Sequence, residues 1–372
     1  MNRSICFVGS DVYPVLNRHF GSGYIGGESV QVTLLAKAFN DLGWRVSVVD
    51  WDYGQPEGEV IDGIRIHKTF KQNAGIPIIR FIHPRLTSIV KALRKANAQI
   101  YYQSCAGMMT GVVAWFCRHY NKTFVFRTAH DTDCIPGEHL IKLWRDKKIY
   151  EYGLRRADLI AVQGVNQANL LDKHYGLKGF VVTMAVELPL DQELQATRGI
   201  DGLWVNNMRP FKRPERFIEL AKSLSKHRFV MIGGSSPGFE KYFEKITSLA
   251  KPVKNLEFIG PVPYHEVNAY FLDAKVFINT SESEGFPNSF LQAWARKTPV
   301  ISFFDPDGII AKEGIGISPV SHLEMIDAVE KLLENSDLRN NIGEKAKMYV
   351  MNSYSPELVA KCYIRLINRK EL

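Results

Sequence analysis

Cysteine is scarce in this 372-residue chain. The five present, Cys6, Cys105, Cys117, Cys134 and Cys362, are scattered and odd in number, with no Cys-x-x-Cys pair. That argues against a disulfide frame and a zinc site, and it fits a reducing cytoplasm. No apolar run approaches the ~20 residues a membrane span needs. The N-terminal "SICFVGS" reads as a strand with no signal-type apolar core before it. The expectation is a cytoplasmic protein, at most held at the inner face of a membrane. Internal repeats and low-complexity runs are missing too. So are an aromatic RNA-recognition signature and a dense basic arm, which argues against nucleic acid as a partner.

What is present is ordinary for a globular chain: 45% hydrophobic and 23% charged residues. At roughly 150 residues per domain, the length suggests two domains, each with a core of its own. The net charge of +8 permits anionic partners such as phosphorylated small molecules or acidic lipid headgroups. A solvated basic surface is the plainer alternative.

Strand-like runs alternate with helix-period stretches. Ile5–Val8, Val46–Val49, Ile100–Tyr102, Phe124–Phe126 and Leu159–Val162 read as strands, and Ser29–Leu42 as a helix with Val32, Leu35, Ala36 and Phe39 on one face. Continuous β-branched and aromatic runs separated by helices indicate a parallel sheet covered on both faces. A polar stretch, "ELPLDQELQATRG", ends this set near residue 190. A second set follows: Leu203–Asn206, a helix from Pro214, Phe229–Ile232, a helix around Phe239–Leu249, Leu256–Ile259, Val276–Asn279, a helix from Asn288, and Val300–Phe303. The expected domains are 1–188 and 189–352, with a C-terminal helix in 353–372 that crosses back to the first. In paired sheets of this kind ligands sit at the carboxyl ends of the strands, in the cleft between domains.

The most informative string is "NTSESEGFPNSFLQAWARKTPVIS". A strand ends in a polar loop, Gly285 allows a turn where a side chain would collide, and Pro287 suits the entry to a helix from Asn288. The first helical turn is an anion site without any charged side chain. Glu284 just before it is a poor neighbour for a diphosphate, so sugar hydroxyls are its natural partners. Gln292, one turn inside, suits a ribose. The bland alternative is an ordinary strand–turn–helix with Glu284 exposed. A second string, "WVNNMRPFKRPERFIELAKSL", leads from a strand to a basic loop with Arg209, Lys212 and Arg213, then to a helix whose buried stripe is Phe217, Leu220, Ala221 and Leu224. Lys and Arg on one loop suit a diphosphate leaving group; a solvated basic turn is the alternative.

Taken together these strings resemble the retaining glycosyltransferases of family four, which have the GT-B fold: α/β, two doubly wound Rossmann-like domains facing across a cleft. The resemblance runs in family order over nearly the whole chain. It implies that Gly285, Phe286, Pro287, Asn288 and Ser289 grip the donor, with Glu284 as the first of two family glutamates. Gln292 stands where the second is usual, keeping an acceptor but losing the charge. Lys212 matches the family's donor lysine. The usual arginine, five residues earlier, is Asn207 here, and Arg209 supplies a substitute charge. The helix usually ends with Gly before "TPV"; Lys297 takes that place, and a non-Gly residue in the left-handed conformation costs about 1 kcal/mol.

Three more segments carry the likeness. In "GSGYIGGESVQ", Gly26 and Gly27 match the loop that approaches donor phosphates and acceptor. Gly21, Gly23 and Gly26 formally spell G-x-G-x-x-G with Asp50 on the next strand. A dinucleotide site is disfavoured, because about ten residues separate the first strand from these glycines, whereas the fingerprint follows its strand at once. In "FVFRTAHDTDC", His130 matches a family histidine that touches the transferring sugar; a structural His is the alternative. Gly234 and the segment Pro261–Val262 match backbone contacts to donor and nucleobase. Asp131 and Asp133 raise a metal as a question, but the resemblance implies none.

The implied reaction is sugar transfer from a UDP- or GDP-linked donor, as co-substrate with no cofactor, to a glycan or lipid-linked hydroxyl acceptor, with retention, in surface polysaccharide or glycolipid synthesis. Catalytic roles fall on Glu284, His130 and Lys212. A non-catalytic GT-B partner or scaffold protein, and another GT-B enzyme such as a sugar-nucleotide epimerase or a phosphorylase, stay open as alternatives. Finally, "EHLIKLWRDKKIYEYGLRRADLI" sets Lys142, Arg145, Lys147, Lys148, Arg155 and Arg156 beside Leu140, Leu143 and Trp144. That composition suits an anionic membrane surface; a solvated basic helix is the alternative.

Overall fold

The computed structural model describes residues 3–17, 19–20, 26–76, 79–195, 197–282, 284 and 286–370. The chain divides into two compact units. The first holds the described residues up to Phe20, those from Gly26 to Ala185, and Pro356–Lys370; the second holds Val186–Ser355. Within the second, the Val186 N–H donates to the Tyr354 carbonyl at 2.9 Å.

In the first unit eight strands form one sheet: β1 (Ser4–Val8), β2 (Arg45–Asp50), β3 (Val60–Ile61), β4 (Ile64–Lys68), β5 (Ile100–Ser104), β6 (Thr123–Arg127), β7 (Leu159–Val162) and β8 (Gly179–Val181). Their order is β3-β4-β2-β1-β5-β6-β7-β8. All neighbours run parallel except β3 and β4. These two are joined by Asp62 and Gly63, both at positive φ (49° and 79°), as a two-residue turn matching strand twist requires. β1, β5 and β7 are buried along their whole length, which is why apolar residues run consecutively through 5–8, 100–102 and 159–162 rather than alternating. The helix Gly27–Asp41 packs against the C-terminal helix Pro356–Lys370. Tyr363 of the latter lies edge-on to Tyr102 at 5.6 Å, and its hydroxyl accepts from the buried Arg127 guanidinium at 3.0 Å.

The second unit carries β9 (Ile200–Val205), β10 (Phe229–Ile232), β11 (Leu256–Gly260), β12 (Ala274–Asn279), β13 (Val300–Ser302) and β14 (Gly316–Ile317), all parallel, in the order β11-β10-β9-β12-β13-β14. Its core gathers Trp204, Phe217, Phe229, Met231, Ile278 and Ile301. The helix Pro214–Ser223 buries Phe217, Leu220 and Ala221, as its spacing predicts, and Ile218 beside them; Leu224, the fourth expected member, is buried at the C-cap. The chain winds outward from β9 to β11, then returns to place β12 on the other side of β9. The loops after β9 and β12 therefore leave adjacent strands in opposite senses, and that switch point is where a doubly wound sheet opens a crevice. Among the described residues no helix is long and apolar enough to cross a membrane.

Candidate active site

The loops that follow β9 and β12 are fastened to each other. Thr280, fully buried, donates through Oγ1 to the Lys212 carbonyl (2.8 Å) and accepts from Trp204 Nε1 (3.0 Å). The Glu282 N–H donates to the Phe211 carbonyl at 2.9 Å. These bonds bring together two side chains that lie far apart in sequence: Lys212 Nζ donates to Glu284 Oε1. Ser281 Oγ donates to the same oxygen at 2.7 Å, and the Ser281 N–H is held by Asn279 Oδ1 at 2.8 Å. Both ends of the ion pair are largely withdrawn from water, with side chains 12% and 11% exposed. Burial holds the Lys212 ammonium below its ordinary pKa of 10.5, against the pull of the Glu284 charge. An ammonium and a carboxylate so placed are poised for other partners, since each retains bonding capacity the other does not fill.

The rest of the basic loop is distributed differently. Arg213 adopts a left-handed backbone (φ 50°) and its guanidinium reaches Glu282 at 2.9 Å, on the surface. Arg209 Nε donates to Ser236 Oγ at 3.2 Å, beside the turn that follows β10. Asn207 is half-buried on the same loop. Gly233 and Gly234 lie where this loop meets the β10 turn: Met208 N–H donates to the Gly234 carbonyl (3.0 Å), and Gly233 N–H to the Gly260 carbonyl (2.9 Å). A side chain at 233 would begin 1.9 Å from the Asn206 carbonyl oxygen, so only glycine fits. Gly234 rests against Pro261 at the end of β11, with the half-buried Val262 after it.

After β12, Pro287 is buried and opens the helix Asn288–Ala295, whose first turn holds Asn288 and Ser289 and no acidic residue. Phe286 stacks on Tyr354 at 5.7 Å. Gly285 lies outside the described residues. Gln292 does not join the Lys212–Glu284 pair in a bond. Its Nε2 donates to Asn268 Oδ1 at 3.0 Å, and Asn268 Nδ2 donates in turn to Glu187 Oε2 at 3.3 Å. Lys297 does take the left-handed conformation at the helix end, with φ 56°.

In the first unit, Gly26 is the N-cap and Gly27 the first residue of their helix; Gly21 and Gly23 lie outside the described residues. Glu28 follows. It is half-buried with its carboxyl withdrawn from water, it accepts from Ser104 Oγ at 2.7 Å, and desolvation of the carboxyl, with Asp50 and Asp11 nearby, pushes it up to about 8. Asp50 is likewise raised to about 7 by burial, and its oxygens accept from the Tyr13 and Trp51 N–H groups, each at 2.7 Å. This acid is engaged by main chain, unlike the ribose-binding acid of a dinucleotide fold. His130 is exposed at the head of a short helical turn, Asp131–Cys134, where Asp133 accepts from the N–H groups of Ala129 (2.8 Å) and His130 (3.0 Å). Among the described residues no group of acids, histidines and cysteines is arranged to hold a metal ion.

Sequence reasoning named Lys212 and Glu284 but not the groups in the bond network around them, Ser281, Thr280 and Trp204, nor the half-buried Glu28–Ser104 contact. "NTSES" before Glu284 was the available signal, a cluster of short hydroxyl and amide side chains at a strand end.

Two parallel doubly wound units with this strand order make a GT-B fold. Alr3699/HepE from Anabaena, solved with UDP and glucose, superposes with a TM-score of 0.74 over 98% of this chain and 99% of its own, at 12% identity. Residues 192–349 match the family described as "Glycosyl transferases group 1". That match lies within the second unit and covers less than half of the chain. It is 26% identical over 161 residues to an alpha-monoglucosyldiacylglycerol synthase of Acholeplasma laidlawii, a stretch covering 42% of this chain and 40% of that one. It is 23% identical over 379 residues to a D-inositol 3-phosphate glycosyltransferase of Corynebacterium diphtheriae, covering 89% of this chain and 87% of that one.

Proposed function

We propose that this protein is a glycosyltransferase, retaining and metal-independent, that moves a sugar from a UDP- or GDP-linked donor to a hydroxyl acceptor in glycolipid or surface glycan synthesis. The Lys212–Glu284 pair on the two loops of the β9/β12 switch point carries this reading. A donor diphosphate outbids a single carboxylate for an ammonium, because it offers more charge and more acceptor oxygens. Its arrival draws Lys212, with Arg209, to the phosphates and leaves Glu284, still held by Ser281, to accept from sugar hydroxyls. The start of the Asn288–Ala295 helix adds its positive end. Charge that develops on the departing phosphate is then met by groups already in place. The phosphate takes the acceptor proton on the face it leaves, so no side chain acts as nucleophile and configuration is kept. On the first unit, His130 is the group we assign to the transferring sugar. The likeness to the Acholeplasma relative, a synthase of a glucosylated diacylglycerol, supports a lipid-linked acceptor.

The experiment is a donor screen followed by turnover. Thermal shifts against UDP-, GDP- and ADP-sugars identify the cognate donor, which stabilises the native state by mass action. Transfer and donor hydrolysis are then measured for the wild type, Lys212→Ala and Glu284→Ala, with the product anomer assigned by NMR. Undiminished turnover in both variants removes the mechanism, and an inverted anomer removes retention. Absence of any turnover with every donor would favour a non-catalytic role.

A further inference from the structure

Two segments of the first unit expose large apolar side chains to water. One is the stretch around the short helical turn Phe81–Leu86, where Ile76, Ile79 and Ile82 are 65%, 53% and 63% exposed. The other is the approach to the helix Trp144–Leu154, where Leu140, Leu143 and Trp144 are 72%, 56% and 74% exposed. Single exposed apolar residues need no explanation, but clusters do. The two segments meet. The Arg145 guanidinium lies 3.7 Å from the centre of the Phe81 ring. Arg80, Arg85 and Arg145 are close enough that the first and third lower the pKa of the second, after burial. Arg85 Nε is buried without a hydrogen-bond partner. The first segment holds no acid, and 139–148 holds four cations (Lys142, Arg145, Lys147, Lys148) against one acid, Asp146, which pairs with Arg145 at 2.8 Å, while Lys148 pairs with Glu151 at 3.2 Å. Arg155 and Arg156, by contrast, stack on Tyr175 and Tyr152 at the far end of the helix and take no part.

We propose that this surface seats the protein on an anionic bilayer, with the isoleucines, leucines and Trp144 entering the headgroup boundary and the arginines and lysines meeting lipid phosphates. Charge complementarity selects the occupant. Apolar tips ringed by more cations than acids match a plane of acidic headgroups over acyl chains. Trp favours that interface, and long cationic side chains reach back to it. An apolar protein partner would leave Arg80, Arg85 and Lys142 without counter-charges. The inference does not depend on the proposed reaction, because binding is read without turnover.

The test is co-sedimentation of the full chain with vesicles of phosphatidylcholine alone and of phosphatidylcholine mixed with phosphatidylglycerol, at low and high salt. The expected result is binding to the mixed vesicles only, weakened by salt because surface charges are screened. Leu143→Ser/Trp144→Ser and Ile79→Ser/Ile82→Ser should each weaken it by about tenfold or more, and Arg80→Glu/Lys142→Glu should reduce it comparably. The four apolar side chains face water, so circular dichroism and melting of those variants should match the wild type. No binding to acidic vesicles, equal binding to neutral ones, or wild-type binding by folded apolar variants would each overturn the proposal. So would a lipid-free dimer in analytical ultracentrifugation that the apolar substitutions abolish, since the surface would then be an interface between copies.

Discussion

Replacing Glu28 with glutamine should stabilise the first unit at neutral and alkaline pH and flatten its pH dependence. The carboxyl is buried beside the start of the Gly27–Asp41 helix, 3.5 Å from where a side chain on Gly9 would begin, and holds its proton up to about pH 8. In the unfolded chain the same group ionises near its ordinary value of 4.5. The folded state therefore binds one more proton than the unfolded state throughout that interval. Stability contributed by this group is fully present below pH 4.5 and is lost as pH rises toward 8. The interval from 4.5 to 8 corresponds to a loss of about 5 kcal/mol if nothing relaxes, and water entry around an ionising carboxylate reduces that to about 2–4 kcal/mol. Glutamine keeps an oxygen to accept from Ser104 Oγ, now 2.7 Å from Glu28, and has no proton to lose. Asp50, raised in the same sense to about 7, stays in place, so the slope should fall by about half rather than vanish. The assay is calorimetric unfolding from pH 5 to pH 8.5, following the transition assigned to the first unit. Superimposable pH profiles for wild type and Glu28→Gln would refute the reasoning.

In steady-state kinetics, kcat/KM should fall on the alkaline side as pH rises through a lysine pKa lying below 10.5, because burial holds Lys212 low. Lys212→Arg, which stays charged, should be slower but lose that falling limb; an unchanged limb would assign it to another group. Thr280→Val removes the hydroxyl that links Trp204 Nε1 to the Lys212 carbonyl. It should cost about 2–3 kcal/mol in urea unfolding of the second unit and raise the donor KM more than it lowers kcat. A stability change under about 0.5 kcal/mol would contradict this bond network. Gly233→Ala would place a Cβ 1.9 Å from the Asn206 carbonyl, and should destabilise by about 3 kcal/mol or more or yield insoluble protein. Gly238→Ala, at φ 83° in open space, should cost only about 1 kcal/mol.

Fold and site were legible to different depths, for physical reasons visible in particular residues. Phe229–Ile232 and Leu159–Val162 read from sequence to the residue, because a strand buried on both faces is an apolar run with abrupt ends. The β3–β4 hairpin was not read. Val60–Ile61 is only two residues and carries no burial signal, although Asp62-Gly63 is a strong turn dipeptide. In the site, residue types and resemblance singled out Lys212 and Glu284. No pattern could show that each is the other's partner in this state, since that depends on Thr280 and Ser281 fastening two loops that sequence places far apart. Gln292 shows the same limit: its type was plain, its engagement with Asn268 was not. Lys297 is the opposite case. The sequence placed a non-glycine residue where the helix must end in a left-handed turn, and φ 56° shows that it does. Long-range packing then shows how the position is accommodated. Gly343 of the helix Ser336–Ser353 lies against this turn, and a Cβ there would start 2.4 Å from the Lys297 carbonyl. The neighbouring residue, Glu344, pairs with the Lys297 ammonium. The turn forgoes its own glycine and depends on one 46 residues later. It follows that the helix Asn288–Ala295 is held in place by the Ser336–Ser353 helix as well as by its own sequence.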